Sequence, residues 1–287
     1  MARPPRENAP TGGVSQPRRG PNRRHVTPPV PHLPILSGPM SIALRWLGQA
    51  EFAIQGSTGT LVVDSYLSDL HRTVHGSPGL IPPPAAPAEL GAAAVLVSHW
   101  HEDHLDLDSD AEFAASGAVF VAPPSCVARL AGRGIDASRL IAARPGLSNE
   151  VGVAVVTAVP ARHMVAGFLT EDAVGYVVEI DGVRIYLSGD TDYDRALLAA
   201  TERGPLDVAL LCVNGTGGNM NAWAAAALAA QLRPGVAVPM HFGMWPDSGY
   251  GPGATLDPEL FADLYRRLSE GARVSVPDTA RLLLVGG

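Results

Sequence analysis

The stretch Val95-Leu96-Val97-Ser98-His99-Trp100-His101-Glu102-Asp103-His104-Leu105-Asp106 runs from an apolar strand-like segment into three histidines and an aspartate within six residues. Alternate side chains of an extended chain point the same way, so His99 and His101 can grip one cation. The turn that follows lets Asp103 and His104 face a second. Neutral imidazoles and carboxylates with no thiolate suit zinc, manganese or iron. A solvated histidine-rich loop is the bland alternative. Four ligand-type residues at this spacing behind a buried strand argue against it.

Three more ligand candidates close strand-like runs further along: His163 in Val-Pro-Ala-Arg-His, Asp190 in Leu-Ser-Gly-Asp-Thr and His241 in Val-Pro-Met-His-Phe-Gly. Strand ends are where functional side chains converge. Each has an ordinary explanation alone: a turn residue, a helix-capping acid, a satisfied core histidine. With the first cluster they make one pattern.

That pattern, HxHxDH followed by separate His, Asp and His, resembles the metallo-β-lactamase superfamily over roughly Ile42 to Val285. The resemblance implies an α/β fold, the four-layer αββα sandwich, and a binuclear site. His99, His101 and His163 would hold the first metal, Asp103, His104 and His241 the second, and Asp190 would bridge them. The implied cofactors are two divalent metal ions, zinc or manganese foremost and iron as the third choice. Asp64, closing Leu61-Val-Val-Asp, matches the family's motif aspartate that orients ligands from behind, and Asp106 is assigned the same supporting role.

Finer features look like the L-ascorbate-6-phosphate lactonase branch: Pro82-Pro-Pro, Asp172-Ala-Val-Gly-Tyr leading to Gly-Asp-Thr, and Asn214-Gly-Thr-Gly-Gly-Asn-Met-Asn221. They imply a metal-dependent hydrolase of lactonase or phosphodiesterase type, in which a metal-bridging hydroxide attacks a small anionic lactone or phosphoester. Asp103 and Asp190 would be the catalytic carboxylates. Ser65 departs from the pattern, which often has proline there, and His71 and His75 are extra histidines read as rim residues. Asn214, Gly215, Gly218 and Asn219 open toward a helix start, where exposed N–H groups favour anions, although a tight turn explains the glycines equally well. Arg162, Tyr193, Trp100 and Trp245 are further pocket candidates.

Alternatives within the fold are a nuclease or phosphodiesterase and a phospholipase. An oxygen-reducing di-iron protein is disfavoured, because that chemistry usually replaces the histidine that stands here as His101. A non-catalytic metal- or ligand-binding module is the reading from another class, and it normally goes with lost motif residues.

The 287 residues carry a net charge of −7 and no lysine. Residues 1–39 hold six arginines and one glutamate, a net of +5, which leaves −12 for the remainder. An acidic body speaks against nucleic-acid partners, and no apolar run is long enough to span a membrane. The expected partner is therefore a small molecule, with self-association into a homo-oligomer left open. Cys126 and Cys212 are too few for a disulfide framework, and prolines break the segment where an export signal would run, so a cytoplasmic location is expected. Residues 1–39, rich in Pro, Gly and Arg, cannot bury enough surface to order themselves and are expected to be disordered. Residues 40–287 are expected to form the hydrolase domain.

The coarse pattern predicts strands at 42–47, 52–55, 61–64, 93–98 and 118–121, then at 152–159, 174–180, 183–187, 207–212 and 236–239. Helices are expected at 126–131, 194–202, 222–232 and 258–269, with Asp181-Gly182 as a hairpin turn.

Overall fold

The computed structural model describes residues 42–76, 79–152, 154–165, 168–170, 172–244 and 257–286, with the side chains of His71, His75 and Phe168 left aside. Residues 1–39, expected to be disordered, lie outside the described residues.

The first half builds a mixed sheet from β1 (Ile42–Gly48), β2 (Glu51–Gly56), β3 (Gly59–Val63), β4 (Ala92–Leu96), β5 (Val119–Ala122) and β6 (Leu140–Ala142). They lie in that order, and the last strand, β15 (Leu282–Val285), returns to pair antiparallel with β1. Strands β3 to β6 run parallel. The second sheet contains β7 (Ser148–Val151), β8 (Ala154–Pro160), β11 (Val174–Ile180), β12 (Val183–Leu187), β13 (Val208–Cys212) and β14 (Val236–Met240), in the order β14-β13-β12-β11-β8-β7. A short ribbon of β9 (Met164–Val165) and β10 (Phe168–Leu169) projects between β8 and β11 in the chain.

Period-two alternation sends each strand of the first sheet to two different cores. Leu44, Trp46, Phe52, Ile54, Leu61, Val63 and Leu96 pack between the sheets. Their neighbours Leu47, Ala53, Val62, Val95 and Phe120 pack outward with Phe113 and Leu130. These last two belong to the outer helices α3 (Leu107–Ala115) and α4 (Pro124–Gly132), which follow the short helices α1 (Leu70–His75) and α2 (Pro87–Leu90) in the chain. Over the second sheet lie α5 (Ala222–Leu232) and α6 (Glu259–Leu268), whose Ala225, Ala226, Leu228, Phe261 and Leu264 belong to the same contiguous hydrophobic cluster. The order is helix, sheet, sheet, helix, an αββα sandwich.

Local chemistry explains most element ends. Asp181 and Gly182 take φ of +48° and +76°, the two left-handed positions of a type I′ hairpin between β11 and β12. Asn221 caps α5 through the N–H groups of Trp223 and Ala224. The helix expected at 194–202 is a tighter 3₁₀ segment, Arg195–Thr201, started by Asp194. Helix α3 was not anticipated, because its sequence LDSDAEFAA buries few apolar side chains; Asp106 starts it by accepting from Asp108 and Ser109 N–H. Among the described residues no helix is long and apolar enough to cross a membrane.

Candidate metal centre

Strands β3, β4 and β5 point one way within their sheet, as do β12, β13 and β14 in theirs, so carboxyl ends gather at one edge of the sandwich. Open α/β sheets place function at such edges. Asp64 follows β3, His99 to His104 follow β4, His163 follows β8, Asp190 follows β12 and His241 follows β14. Two contacts pin the sheets together beside them. Val174 N donates to Ser98 O at 3.0 Å, and the buried Tyr176 hydroxyl lies 2.7 Å from Val97 O. Gly189 sits in that seam with φ +58°, and a Cβ there would lie 2.8 Å from Val174 O and 2.9 Å from Ser98 Cβ.

All seven proposed ligands meet. His99 Nε2 stands 2.8 Å from His101 Nδ1, and His163 Nε2 stands 3.1 Å from the same nitrogen. His104 Nε2 and His241 Nε2 are 3.2 Å apart, with Asp103 Oδ2 at 3.7 and 3.6 Å from them. Asp190 faces both groups. Its Oδ1 is 3.3 Å from His104 Nε2 and 3.2 Å from His241 Nε2, and its Oδ2 is 3.9 Å from His163 Nε2.

Such a donor set fits cations. Three imidazole nitrogens aimed at one another cannot all be satisfied by sharing protons pairwise, whereas one cation satisfies three lone pairs. The donor atoms of His99, His101 and His163, of His99, His104 and Asp190, and of Asp103, His104 and His241 lie within 4.8 Å of one another in each trio.

The two groups differ electrostatically. Burial pulls His99, His101 and His163 below the usual imidazole range, His163 to about 4, so these are neutral lone-pair donors at neutral pH. Burial also pulls on His104, but Asp190, Asp103 and Asp64 outweigh it and hold its pKa well above the ordinary value. Burial would raise Asp103 and Asp190, and the imidazoles of His104 and His241 instead keep both low. One half is thus a neutral nitrogen trio, the other a carboxylate–imidazole set that a cation in place of protons would suit.

Behind the ligands, Asp64 takes the orienting place. Its carboxylate accepts from Ser98 N at 2.6 Å and Ser98 Oγ at 2.8 Å, and lies 2.9 Å from His104 Nδ1. Ser98 Oγ is in turn 3.0 Å from His99 Nδ1. With protons on these Nδ1 atoms, both Nε2 lone pairs face the cluster. Asp106 does not join them: its carboxylate caps α3 and accepts from Ser68 N and Oγ, so its bonds fasten a loop to a helix.

Gln49 is the residue that the sequence reading passed over. Its Nε2 donates to Asp103 Oδ2 at 2.7 Å and lies 3.1 Å from His241 Nε2, while its main-chain oxygen accepts from His241 N at 2.9 Å. Gln49 and His241 both hold positive φ, +49° and +62°, in the region that side chains rarely adopt. The pair is separated by 192 residues, so no local pattern announces it.

The expected pocket residues divide. Asn219 donates to Asp190 Oδ2 at 2.7 Å and so positions a candidate ligand. Gly218, at φ +79°, lets the loop approach Met164 so closely that a Cβ would sit 1.7 Å from Met164 O. Gly215 N donates to Met220 O, Asn214 forms a bridge with Asn221, and Asn221 already caps α5. Gly218 therefore serves close packing, and the loop's helix start is capped from within. Arg162 pairs with Asp194 at 3.3 Å on the surface, and the Tyr193 hydroxyl bonds to Gln231. Trp100 lies against His101, ring centroids 4.5 Å apart. Trp245 and the side chains of His71 and His75 lie outside the described residues.

The chain is similar to known proteins over most of its length. Residues 60–242 match the family model described as a beta-lactamase superfamily domain. The chain is 32% identical over 234 residues to a UPF0173 metal-dependent hydrolase of Thermococcus onnurineus, covering 78% of this chain and 92% of that one. It is 33% identical over 215 residues to a second, from Thermococcus kodakarensis, covering 74% and 89%. Among solved structures it is similar to Igni18, a metallo hydrolase from Ignicoccus hospitalis. That similarity has a TM-score of 0.66 at 21% identity, covers 85% of this chain and 98% of that one, and speaks for the fold.

Proposed function

The chain belongs to the beta-lactamase superfamily, and from that premise we propose that it is a cytoplasmic metal-dependent hydrolase that opens a lactone or cleaves a phosphoester of a small molecule at a two-cation centre. The observation that carries this reading is Asp190, whose two carboxylate oxygens face two separate ligand groups. Zinc, manganese or iron suits the donors, and no thiolate is among them.

Held by His99, His101 and His163 on one side and Asp103, His104 and His241 on the other, with Asp190 facing both, divalent cations would supply Lewis acidity and lower the pKa of a water. The chain's own work is positional. His99, His101 and His163 offer neutral nitrogens; Asn219 fixes one oxygen of Asp190; Gln49 fixes one of Asp103. Asp103 has a side chain 18% exposed, against 0% for His104 and 6% for Asp190, so it is the cluster carboxylate best placed to take up a proton from the substrate side.

The lactone is favoured over the phosphoester because the groups expected to bind an anion are engaged elsewhere. Arg162 is paired with Asp194, and the start of α5 is capped by Asn221. A pH-stat assay of acid release from γ-butyrolactone tests the proposal, with bis(p-nitrophenyl) phosphate as the phosphodiester comparison. Lactone opening that falls about 100-fold or more in Asp190→Ala supports it. Turnover of neither substrate by metal-loaded protein speaks for the binding-module alternative.

A further inference from the structure

A cavity of about 530 Å³ opens beside the metal centre and shares His101 with it. Trp100, Val165 and Leu169 line it, and they are 38%, 37% and 53% exposed. Three apolar side chains left in solvent around one concavity at a reactive centre mark a binding surface.

Two polar members of the wall, Asp172 and Ser125, already bond to each other. Asp172 accepts from Ser125 N at 2.7 Å and Ser125 Oγ at 2.8 Å. It thereby caps α4, whose own N-cap residue is Pro123 and has no side-chain acceptor to offer. Thr170 N donates to His163 O at 2.8 Å. The Arg129 guanidinium lies over the Trp100 ring, 4.7 Å from its centroid.

These engagements discriminate among ligands. An anionic group would meet the Asp172 carboxylate with no arginine among the described lining residues. A cationic group would find Arg129 already on the Trp100 ring and Asp172 bound to a helix start. An uncharged apolar group meets neither cost and covers the three exposed side chains.

We propose that this cavity is the subsite for an uncharged alkyl or aryl substituent of the substrate, with the reactive carbonyl at the His101 end. The reactive end rests on the hydrolase reading; the substituent rests on the cavity alone. The subsite is also joined to the metal centre through the chain. Val165 and Leu169 lie on the β9–β10 ribbon that begins at the ligand His163, and the Thr170 N to His163 O bond closes it. Specificity and metal geometry therefore share one short ribbon.

Two measurements test this. The first is kcat/KM for γ-lactones carrying alkyl chains of one to six carbons, and for chains of matching length ending in a carboxylate or a trimethylammonium group. Each methylene buried in the cavity is expected to raise kcat/KM by up to about fourfold, a charged terminus removes the gain, and Leu169→Asp collapses the long-to-short ratio toward one. The second needs no turnover: hexanamide is titrated into nitrogen-15-labelled protein and the tryptophan indole N–H signals are followed, Trp100 being assigned with Trp100→Phe. A saturable shift of the Trp100 signal, absent in a folded Leu169→Asp variant, supports the subsite even if no lactone is hydrolysed. A Trp100 signal that hexanamide leaves in place, or that adipamate or hexyltrimethylammonium moves equally, overturns it.

Discussion

Substituting Gly218 by alanine should damage the metal centre through a contact that touches no ligand. The new Cβ would lie 1.7 Å from Met164 O, 2.7 Å from its carbonyl carbon and 3.1 Å from its nitrogen, all backbone atoms that cannot rotate away. Ordinary contact begins near 3.4 Å, so the loop and the ribbon must part by about 1.7 Å. Met164 follows His163 directly, and metal–nitrogen bonds of about 2.0–2.1 Å tolerate only about 0.2 Å. Gly217 is the matched control: its φ is +64°, close to the +79° of Gly218, yet nothing lies within 4 Å of its added Cβ. Gly217→Ala should cost only the left-handed backbone term, about 1–2 kcal/mol, or roughly 2–8 °C in Tm. Gly218→Ala should melt at least about 5 °C lower still and bind the cation of the His99–His101–His163 trio at least about tenfold more weakly. Calorimetry and chelator competition on the two variants measure both quantities. If Gly218→Ala matched Gly217→Ala in melting and kept wild-type metal affinity, the argument that this loop braces the His163 ribbon would be refuted.

Other perturbations separate the supporting roles. Gln49→Leu removes the amide that bonds Asp103 and should weaken metal binding about 10- to 100-fold with the fold intact, read by competition with a chromogenic chelator. Asp64→Asn should do likewise through His104 and Ser98, whereas Asp106→Asn should lower Tm with less effect on metal, since its bonds run to α3 and Ser68. Burial, with Asp106 and Asp64 nearby, raises the Asp110 carboxyl well above the ordinary value despite the Ser65 bond. The folded state therefore binds that proton more tightly than the unfolded chain, and Asp110's contribution to stability falls as pH rises above about 4. Asp110→Asn should accordingly melt higher than wild type at pH 8, with the gap closing toward pH 4; a gap that widened on acidification would reverse the sign.

The clustering of the candidate ligands was legible because its chemistry is local. His99, His101, Asp103 and His104 sit on one turn, and the remaining ligands each end an apolar strand that periodicity reveals. Strands β1–β5, β8 and β11–β14 were readable for the same reason, being largely buried and bounded by turn residues, whereas the more exposed β6 and β7 carry no such pattern. What escaped depends on distance or polarity. Gln49 reaches Asp103 across 54 residues, and α3 is held by an aspartate cap and few buried apolar groups. Strand β15 pairs with β1 from the far end of the chain. The glycine loop shows how one pattern admits two readings. Asn214 to Asn219 read equally as an anion cradle or a tight turn, but the space Gly218 leaves is filled by Met164, and only the fold reveals what stands opposite it. Arg162 likewise admits a substrate contact or a surface ion pair, and Asp194 beside it makes it the latter.

The most direct test of the central claim, that seven residues hold two cations with Asp190 between them, is metal content by inductively coupled plasma mass spectrometry on untagged protein purified without chelator, beside Asp190→Ala. The account predicts about two equivalents of zinc, manganese or iron per chain, reduced in the variant. Protein that carries no metal and acquires none when these ions are added would contradict it.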